Sequence, residues 1–429
     1  MLRTRRLSAL LLAGLLFAAC ASAAPADRNR LRGTTIVVFG SWSGTEQKHF
    51  VAVLEAFTAE TGARVRYLSA GDRYMPDVIN TRFSRGEPLD VALLPQPGLL
   101  RQYAAAGRIV PLDAKTGAIV DQHYSAVWRS LASWHGRQYG VWFKAANKSL
   151  VWYDVGTFER AAVVPPDDLA GLERVAAALR GHGVAPFAVA GYDGWTLTDW
   201  FENLYLRLAG PTRYDALAAH RIAWTDPSVA RALTLMGRLL QSGNVLGGTT
   251  HALRTSFESS VTQAFRLPVH AAMVAEGDFV AGFVTADTHR RIGAEVDAFP
   301  FPGDYAGFPV VMGGGDVAVQ MSAEPAAAEL IRFLASPEAA EVWAARGGFI
   351  SPNLDVNLGV YPDALSRTLA RQVIEAGSNF RFDLSDLLPA DFGSAPWTGM
   401  QGTLRRFLQD RDVAAAQSRL EAAARAAGG

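Results

Sequence analysis

Ile36-Val37-Val38-Phe39-Gly40-Ser41-Trp42-Ser43-Gly44 is the stretch on which the fold turns. An apolar, largely β-branched run that stops at a glycine has the pattern of a buried strand. Downstream, Glu46 to Thr61 returns apolar side chains at Phe50, Val53, Leu54 and Phe57. That is the spacing of one helix face, and Gly62 is its stop signal. Val65-Arg66-Tyr67-Leu68 predicts a second strand, Leu89 to Leu94 a third closed by Pro95, and Leu99 to Ala106 a helix stopped by Gly107. This strand–helix–strand rhythm predicts a mainly parallel sheet with helices on both faces. Sheets of this kind bind ligands at the carboxyl ends of their strands. Ser41 to Thr45 and Pro95 to Gly98 are therefore candidate site loops.

A second block runs from about Leu150 to Pro302, with strands at Leu150 to Tyr153 and Ala271 to Val274 and amphipathic helices at Leu169 to Arg180 and Val229 to Gln241. After Pro300-Phe301-Pro302-Gly303, the run Val310-Val311-Met312-Gly313-Gly314-Gly315-Asp316-Val317-Ala318-Val319 suggests strand, glycine turn, strand, returning to the first sheet. Two short helices are expected at Ala326 to Leu334 and Glu338 to Ala345, broken by Ser336-Pro337. The Ala/Gly-rich tail after Leu420 has the composition of a frayed terminus.

The chain begins with Arg3, Arg5 and Arg6 ahead of an apolar run, Ala9 to Ala19, and then small residues to Ala24. This three-part pattern is that of an export leader, expected over residues 1–23. The run is shorter than the ~20 apolar residues that span a bilayer. Cys20 is the lone cysteine. Phe17-Ala18-Ala19-Cys20 resembles a bacterial lipobox, with Phe where Leu is usual. Ala21-Ser22-Ala23 is an ordinary cleavage site that would discard Cys20. The expected location is thus periplasmic, free or lipid-anchored. Lysine plus arginine and aspartate plus glutamate each number 41. Losing the leader's three arginines leaves 38 basic against 41 acidic residues. With no long basic stripe, nucleic acid is excluded as a partner class. Roughly 400 remaining residues exceed one core and suggest about two domains.

Phe39-Gly40-Ser41-Trp42-Ser43-Gly44 with Glu46 and Thr61-Gly62 resembles the opening of family 1 extracellular solute-binding proteins of ABC importers, the maltose-binding-protein-like group. Leu89-Asp90-Val91-Ala92, Leu150-Val151-Trp152-Tyr153-Asp154, Glu276-Gly277-Asp278-Phe279 and Ser336-Pro337-Glu338-Ala339-Ala340 fall in the family's order. So does Gly347-Gly348-Phe349-Ile350-Ser351-Pro352. The similarity is greatest to the α-glucoside-binding branch. It implies an α/β, two-lobe periplasmic-binding-protein fold with a ligand cleft at the hinge. Lobe one would take 34–145 and 302–352, and lobe two 146–301 and 353–429. It implies a sugar or polyol ligand, the membrane subunits of an ABC importer as partners, a monomer, and neither cofactor nor metal.

Sugar recognition needs flat apolar surfaces for ring C–H faces and polar groups for hydroxyls. Trp42 and Ser43 lie in a loop directly after a strand, and Trp195 in a similar glycine-rich loop followed by Asp199. Trp397 falls where the resemblance implies an aromatic platform from the C-terminal helices, and Phe279 at another stacking position that core packing would explain equally well. Among polar candidates, Gln96 stands between two prolines. Lys144, Asn147 and Lys148 approach the crossing between lobes. Glu46 has a second reading, as an acid in a helix's first turn. Glu276 and Asp278 could accept hydroxyls as charged acceptors, or Asp278 could cap a helix. Gly314, with Asp316 close behind it, would let backbone approach a ligand, or would simply turn a hairpin. Two other functions stay open: a sensory protein presenting ligand to a receptor, and a glycoside hydrolase using Glu276 and Asp278. The latter needs two carboxylates flanking one bond, which two acids on one short loop do not supply by themselves. No HExxH, Walker A or GxSxG motif is present.

Overall fold

The structure, a computed structural model, describes residues 29–71, 73–87, 89–303 and 310–428. The leader and Cys20 lie outside the described residues. The strands are β1 (Thr35–Gly40), β2 (Arg64–Ser69), β3 (Val91–Leu94), a short hairpin of β4 (Ser133–Trp134) and β5 (Arg137–Gln138), β6 (Gly140–Asn147), β7 (Leu150–Asp154), β8 (Ala185–Phe187), β9 (Ala271–Ala275), β10 (Val296–Pro300), β11 (Val311–Gln320) and β12 (Phe380–Phe382).

The opening unit forms as its pattern predicts. β1 is followed by the helix Gly44–Thr61, whose buried residues include Phe50, Val53, Leu54 and Phe57. Gly62 ends it at φ 76°, donating its N–H to the Thr58 carbonyl. A left-handed closing residue is what glycine tolerates without penalty. β1 pairs in parallel with β2 and β3.

The first sheet runs β12-β11-β3-β1-β2, with β6 also paired to β11. It is mixed rather than mainly parallel, because β11 enters antiparallel to both β3 and β6. The return to the first sheet is as expected, but not as two strands with a turn. β11 is one uninterrupted strand through Gly313, Gly314 and Gly315. Packing explains the glycines: a Cβ at Gly313 would stand 2.1 Å from the Ala146 carbonyl oxygen, and one at Gly315 2.5 Å from that of Lys144. Side chains there would push β11 off β6.

The second sheet has the order β10-β7-β9-β8. β6 of the first sheet leads into β7 of the second through Lys148 and Ser149. Beside this crossing the chain comes back: Ser149 accepts the Phe301 N–H at its carbonyl (2.7 Å) and the Met312 N–H at its hydroxyl (2.7 Å). The Asp383 N–H bonds the Gly313 carbonyl at 2.8 Å. The C-terminal stretch is shared, since β12 joins the first sheet while the helix Gly399–Asp410 packs on Trp195–Ala218.

Two apolar cores result. Trp343, Phe50 and Phe143 belong to one, and Trp224, Phe201 and Leu233 to the other. The tail is not frayed: Val413–Ala426 is a helix with Ala416, Leu420 and Ala424 buried, and Asp412 caps it by accepting the Ala415 N–H. Alanine is the strongest helix former, and its small side chain lets the helix lie close to its neighbours. Among the described residues no helix is long and apolar enough to cross a membrane.

Candidate functional site

The crossing segment places two lysines, Lys144 and Lys148, between the sheets. Lys144 stands opposite Asp316 of β11 in register. Its ammonium pairs with Glu46 from the first turn of the helix after β1. Beneath it is an aromatic floor, with the Trp343, Phe279 and Trp42 ring centres at 5.1, 5.4 and 5.8 Å. Cations are attracted to ring faces at such distances. Burial works against the charged lysine, but Glu46 and Asp316 outweigh it and hold the ammonium above its ordinary pKa. Burial pushes Asp316 up to about 6 and Asp278 up to about 7, with Lys144 opposing both.

Lys148 sits deeper in acid. It pairs with Asp199 at 3.2 Å and with Asp383, and the Trp195 ring centre lies 5.1 Å away. Asp199 comes from the helix Trp195–Ala218, whose positions 195, 199 and 202 fall on one face. Glu202, the next acid on that face, is fully buried and accepts the Leu384 and Ser385 N–H groups at 2.7 and 3.0 Å. Burial, and then the neighbouring Asp383, push Glu202 well up. Burial and then Asp199 do the same to Glu276. Asp199 is likewise raised by burial, although Lys148 opposes the shift. Burial pushes Asp386 up to about 7.

Most sequence candidates gather at these two centres. Glu46, Lys144, Asp278 and Asp316 meet at the first; Trp195, Asp199, Glu276 and Gly314 meet at the second. Trp42 is only 4% exposed and packs edge-on against Phe50 and Trp343 at 4.7 and 4.8 Å. It supports Lys144 from below. Ser43 precedes the helix Gly44–Thr61 without a side-chain capping bond. Gln96 is buried directly ahead of the helix Pro97–Ala105. Asn147 lies between the centres with its groups engaged: its N–H bonds Asp278 at 2.7 Å, its amide nitrogen Gln372 at 3.1 Å, and its amide oxygen the Ser149 N–H at 3.1 Å. Phe279 joins Trp195 and Phe257 in an aromatic cluster. A Cβ at Gly314 would meet the Asp383 carboxylate at 2.9 Å and Lys148 Cε at 3.2 Å, so protein groups fill the space beside it. Trp397 stands apart: it is 64% exposed, with the Arg405 guanidinium 4.7 Å over its ring. Arg405 also donates to the Gly191 and Tyr192 carbonyls, on the loop that leads to Trp195.

Glu202, Asp383 and Asp386 lie outside the sequence candidates. Glu202 had a readable signal in its helical spacing from Trp195 and Asp199; the other two had none, because they arrive from the far end of the chain. Four carboxylates at the centres keep a buried oxygen without a protein partner: Asp199 Oδ2, Glu276 Oε2, Asp278 Oδ2 and Asp383 Oδ1. Such atoms are expensive to leave unpaired, and hydroxyl or ammonium donors would satisfy them. Among the described residues, one trio, Asp199, Glu202 and Asp383, has the spacing to hold a metal ion. Lys148 already pairs with Asp199 and Asp383, and two backbone N–H groups bond Glu202.

Residues 41–341 match the family model described as bacterial extracellular solute-binding protein. The chain is 33% identical over 374 residues to the osmoprotective compounds-binding protein GgtB of Synechocystis sp., spanning 85% of this chain and 87% of that protein. It is 32% identical over 387 residues to the alpha-glucosides-binding periplasmic protein AglE of Rhizobium meliloti, spanning 86% and 83%. Among solved structures, the bacterial solute receptor AcbH, described as having an exclusive preference for β-D-galactopyranose, superposes with a TM-score of 0.80. It is 17% identical, over 92% of this chain and 99% of that one.

Proposed function

The chain belongs to the bacterial extracellular solute-binding protein family, and on that premise we propose that it captures a sugar of the α-glucoside class outside the cytoplasm and delivers it to an ABC importer. The observation that carries this reading is the pair of centres on the crossing strand, where rings and unpartnered buried acceptors lie together at the junction of two sheets. Aromatic rings suit sugar C–H faces, and carboxylates make strong charge-assisted bonds to hydroxyls. The α-glucoside assignment draws on the likeness to AglE, whose name carries that ligand class. The location outside the cytoplasm follows from the family.

No covalent step is required. Affinity comes from stacking, hydroxyl bonding and closure of the two lobes about the crossing segments, a hinge motion. Glu46, Lys144, Asp278 and Asp316 would contact one part of the ligand, and Trp195, Asp199 and Glu276 another. The unit acts as a monomer, with a cleaved leader at residues 1–23 or a lipid anchor at Cys20.

Titration of the mature protein with trehalose, sucrose, maltose and methyl α-glucoside tests the reading. A ligand that binds only the native state raises the melting temperature by mass action. A saturable rise with one of these, with the sugar recovered intact, supports capture for transport. Hydrolysed product would overturn it in favour of an enzyme, and no response to any sugar would overturn the ligand class.

A further inference from the structure

The helix Trp195–Ala218 also carries a cation that neither centre uses. Arg207 lies seven positions beyond Trp200, so the two fall on one helix face. They meet the same ring: Trp200 packs edge-on to Phe301 at 5.6 Å, and the Arg207 guanidinium stands 5.5 Å from its centre. Arg207 Nε donates to the Phe301 carbonyl at 3.2 Å and Nη2 to that of Val310 at 3.4 Å. A Cβ at Gly303 would stand 2.2 Å from Arg207 Cγ, so the backbone there lies directly on the arginine's stem. Nη1 is buried with no acceptor. Among the described residues no carboxylate pairs with this guanidinium, and burial pulls its pKa down to about 10.

Arg207 lines a cavity of about 630 Å³ on the far side of the crossing. Side chains alternate along an extended segment, so Asn147 and Ser149, which line the cavity, face away from Lys148. Neither lysine of the two centres lines it, nor does any acid paired with them. The walls are mostly apolar, with Phe299, Phe301, Val311 and Pro166 among them. Two exposed acids, Asp167 and Glu375, stand at the rim. We propose that this cavity is a second ligand site, which takes a small monocarboxylate with an apolar body and holds its carboxylate on Arg207. The inference is independent of the sugar reading.

A buried guanidinium nitrogen left without an acceptor is expensive, and a carboxylate oxygen meets it with a charge-assisted bond. The other polar groups of the inner wall are occupied. The Asn147 amide bonds Gln372 and the Ser149 N–H, and the Ser149 hydroxyl accepts the Met312 N–H. Arg207 is therefore the charged donor with capacity to spare. The apolar walls suit a branched or aromatic carbon body. The rim acids repel a second negative charge, which sets a monocarboxylate apart from a phosphate dianion.

The experiment is isothermal titration of the full mature protein, with no sugar present, using benzoate, phenylacetate and 4-methylpentanoate, their uncharged amides, and phenyl phosphate. At least one carboxylate is expected to bind, at least about tenfold more tightly than its amide and more tightly than phenyl phosphate. Arg207→Gln should remove that preference, and Glu375→Lys, an exposed change, should tighten the carboxylate at least about twofold. Circular dichroism checks that each variant is folded. No carboxylate bound at millimolar concentration overturns the inference, as do equal affinities for carboxylate and amide, tighter binding of phenyl phosphate, or a preference retained in folded Arg207→Gln. If Arg207→Gln does not fold, Glu375→Lys decides, and an unchanged affinity there overturns the inference. Asp304 follows Gly303 in the sequence. Carboxylate binding that appears only in Asp304→Asn would assign the guanidinium to the chain's own acid and overturn the inference as well.

Discussion

Lys144 and Lys148 lie four positions apart on the crossing segment, the first inside β6 and the second just past it, yet they solve the burial of a charge differently. Lys144 leans on aromatic faces and on Glu46, whose side chain keeps 21% exposure and so stays partly hydrated. Lys148 is held by Asp199 and Asp383, 3% and 0% exposed, with further acids behind them. The lysines themselves are 4% and 12% exposed, so the contrast lies in the acids: one that keeps a foot in water can relax when its pair is broken, and those enclosed by protein cannot. The lesson is that the first centre can lose its pair at smaller cost, while the second is an acid-rich junction that ties segments from the middle and the end of the chain to the crossing.

The largest expected effect tests that contrast directly. Lys148→Met leaves two buried carboxylates without their cation, a loss of about 3–5 kcal/mol. Lys144→Met frees Glu46 toward solvent and costs less, about 1–3 kcal/mol. Chemical denaturation of both variants decides; equal losses, or a larger one at Lys144, would break the comparison.

The aromatic floor gives a second lever. Trp42→Ala, deep among Phe50 and Trp343, is expected to lose about 3–5 kcal/mol of stability. Trp397→Ala, at 64% exposure, should leave stability within about 0.5 kcal/mol and show its effect only in ligand titration. A folded Trp42→Ala protein of native stability would remove the floor from this picture.

The glycines of β11 sharpen the comparison on a smaller scale. Gly315→Ala drives a methyl to 2.5 Å from the Lys144 carbonyl, part of a fixed strand, whereas at Gly314 the nearest atoms end the Asp383 and Lys148 side chains. Overpacking of this kind costs about 1–3 kcal/mol, with Gly315 at the upper end. Melting curves that rank Gly314→Ala as the worse of the two would mean that the Lys148 side chain is less able to yield than the backbone.

The smallest expected effect is a slope with pH. Asp278 and Asp386 are pushed up to about 7 and Asp316 up to about 6, each by burial. An unfolded aspartate titrates near ~3.9. Between about pH 4 and 7 the native protein therefore binds more protons than the unfolded chain, and the stability that these groups favour falls as pH rises through that window. The melting temperature should be higher at pH 5 than at pH 8, and Asp386→Asn should flatten the upper part of the curve. A melting temperature that climbs from pH 5 to 8 would show that these acids are ionised in the native protein.

Much of this molecule was legible in order along the chain. The strand at Ile36 to Phe39, the helix that follows and the return near Val311 are set by periods of apolar residues and by stop signals such as Gly62. Glu46 was nameable because it directly follows the loop after the first strand, where such sheets carry sites, and Lys144 because the chain approaches the crossing between lobes there. The triple glycine misled, since glycine permits a turn and also permits two strands to lie flush, and only the neighbouring Ala146 and Lys144 carbonyls select the second. The alanine-rich tail misled for a related reason: composition does not say whether a helix has somewhere to pack.

The sequence by itself determined the opening strand–helix–strand unit, the family and the residue types that a sugar site needs. Tertiary structure alone decided which of them meet. Asp383 reaches Lys148 across 235 positions of chain, and Asp199 reaches it across 51. No local period encodes such pairings. They follow from the sheets closing around the crossing strand, because a buried ammonium must find carboxylates wherever the fold brings them.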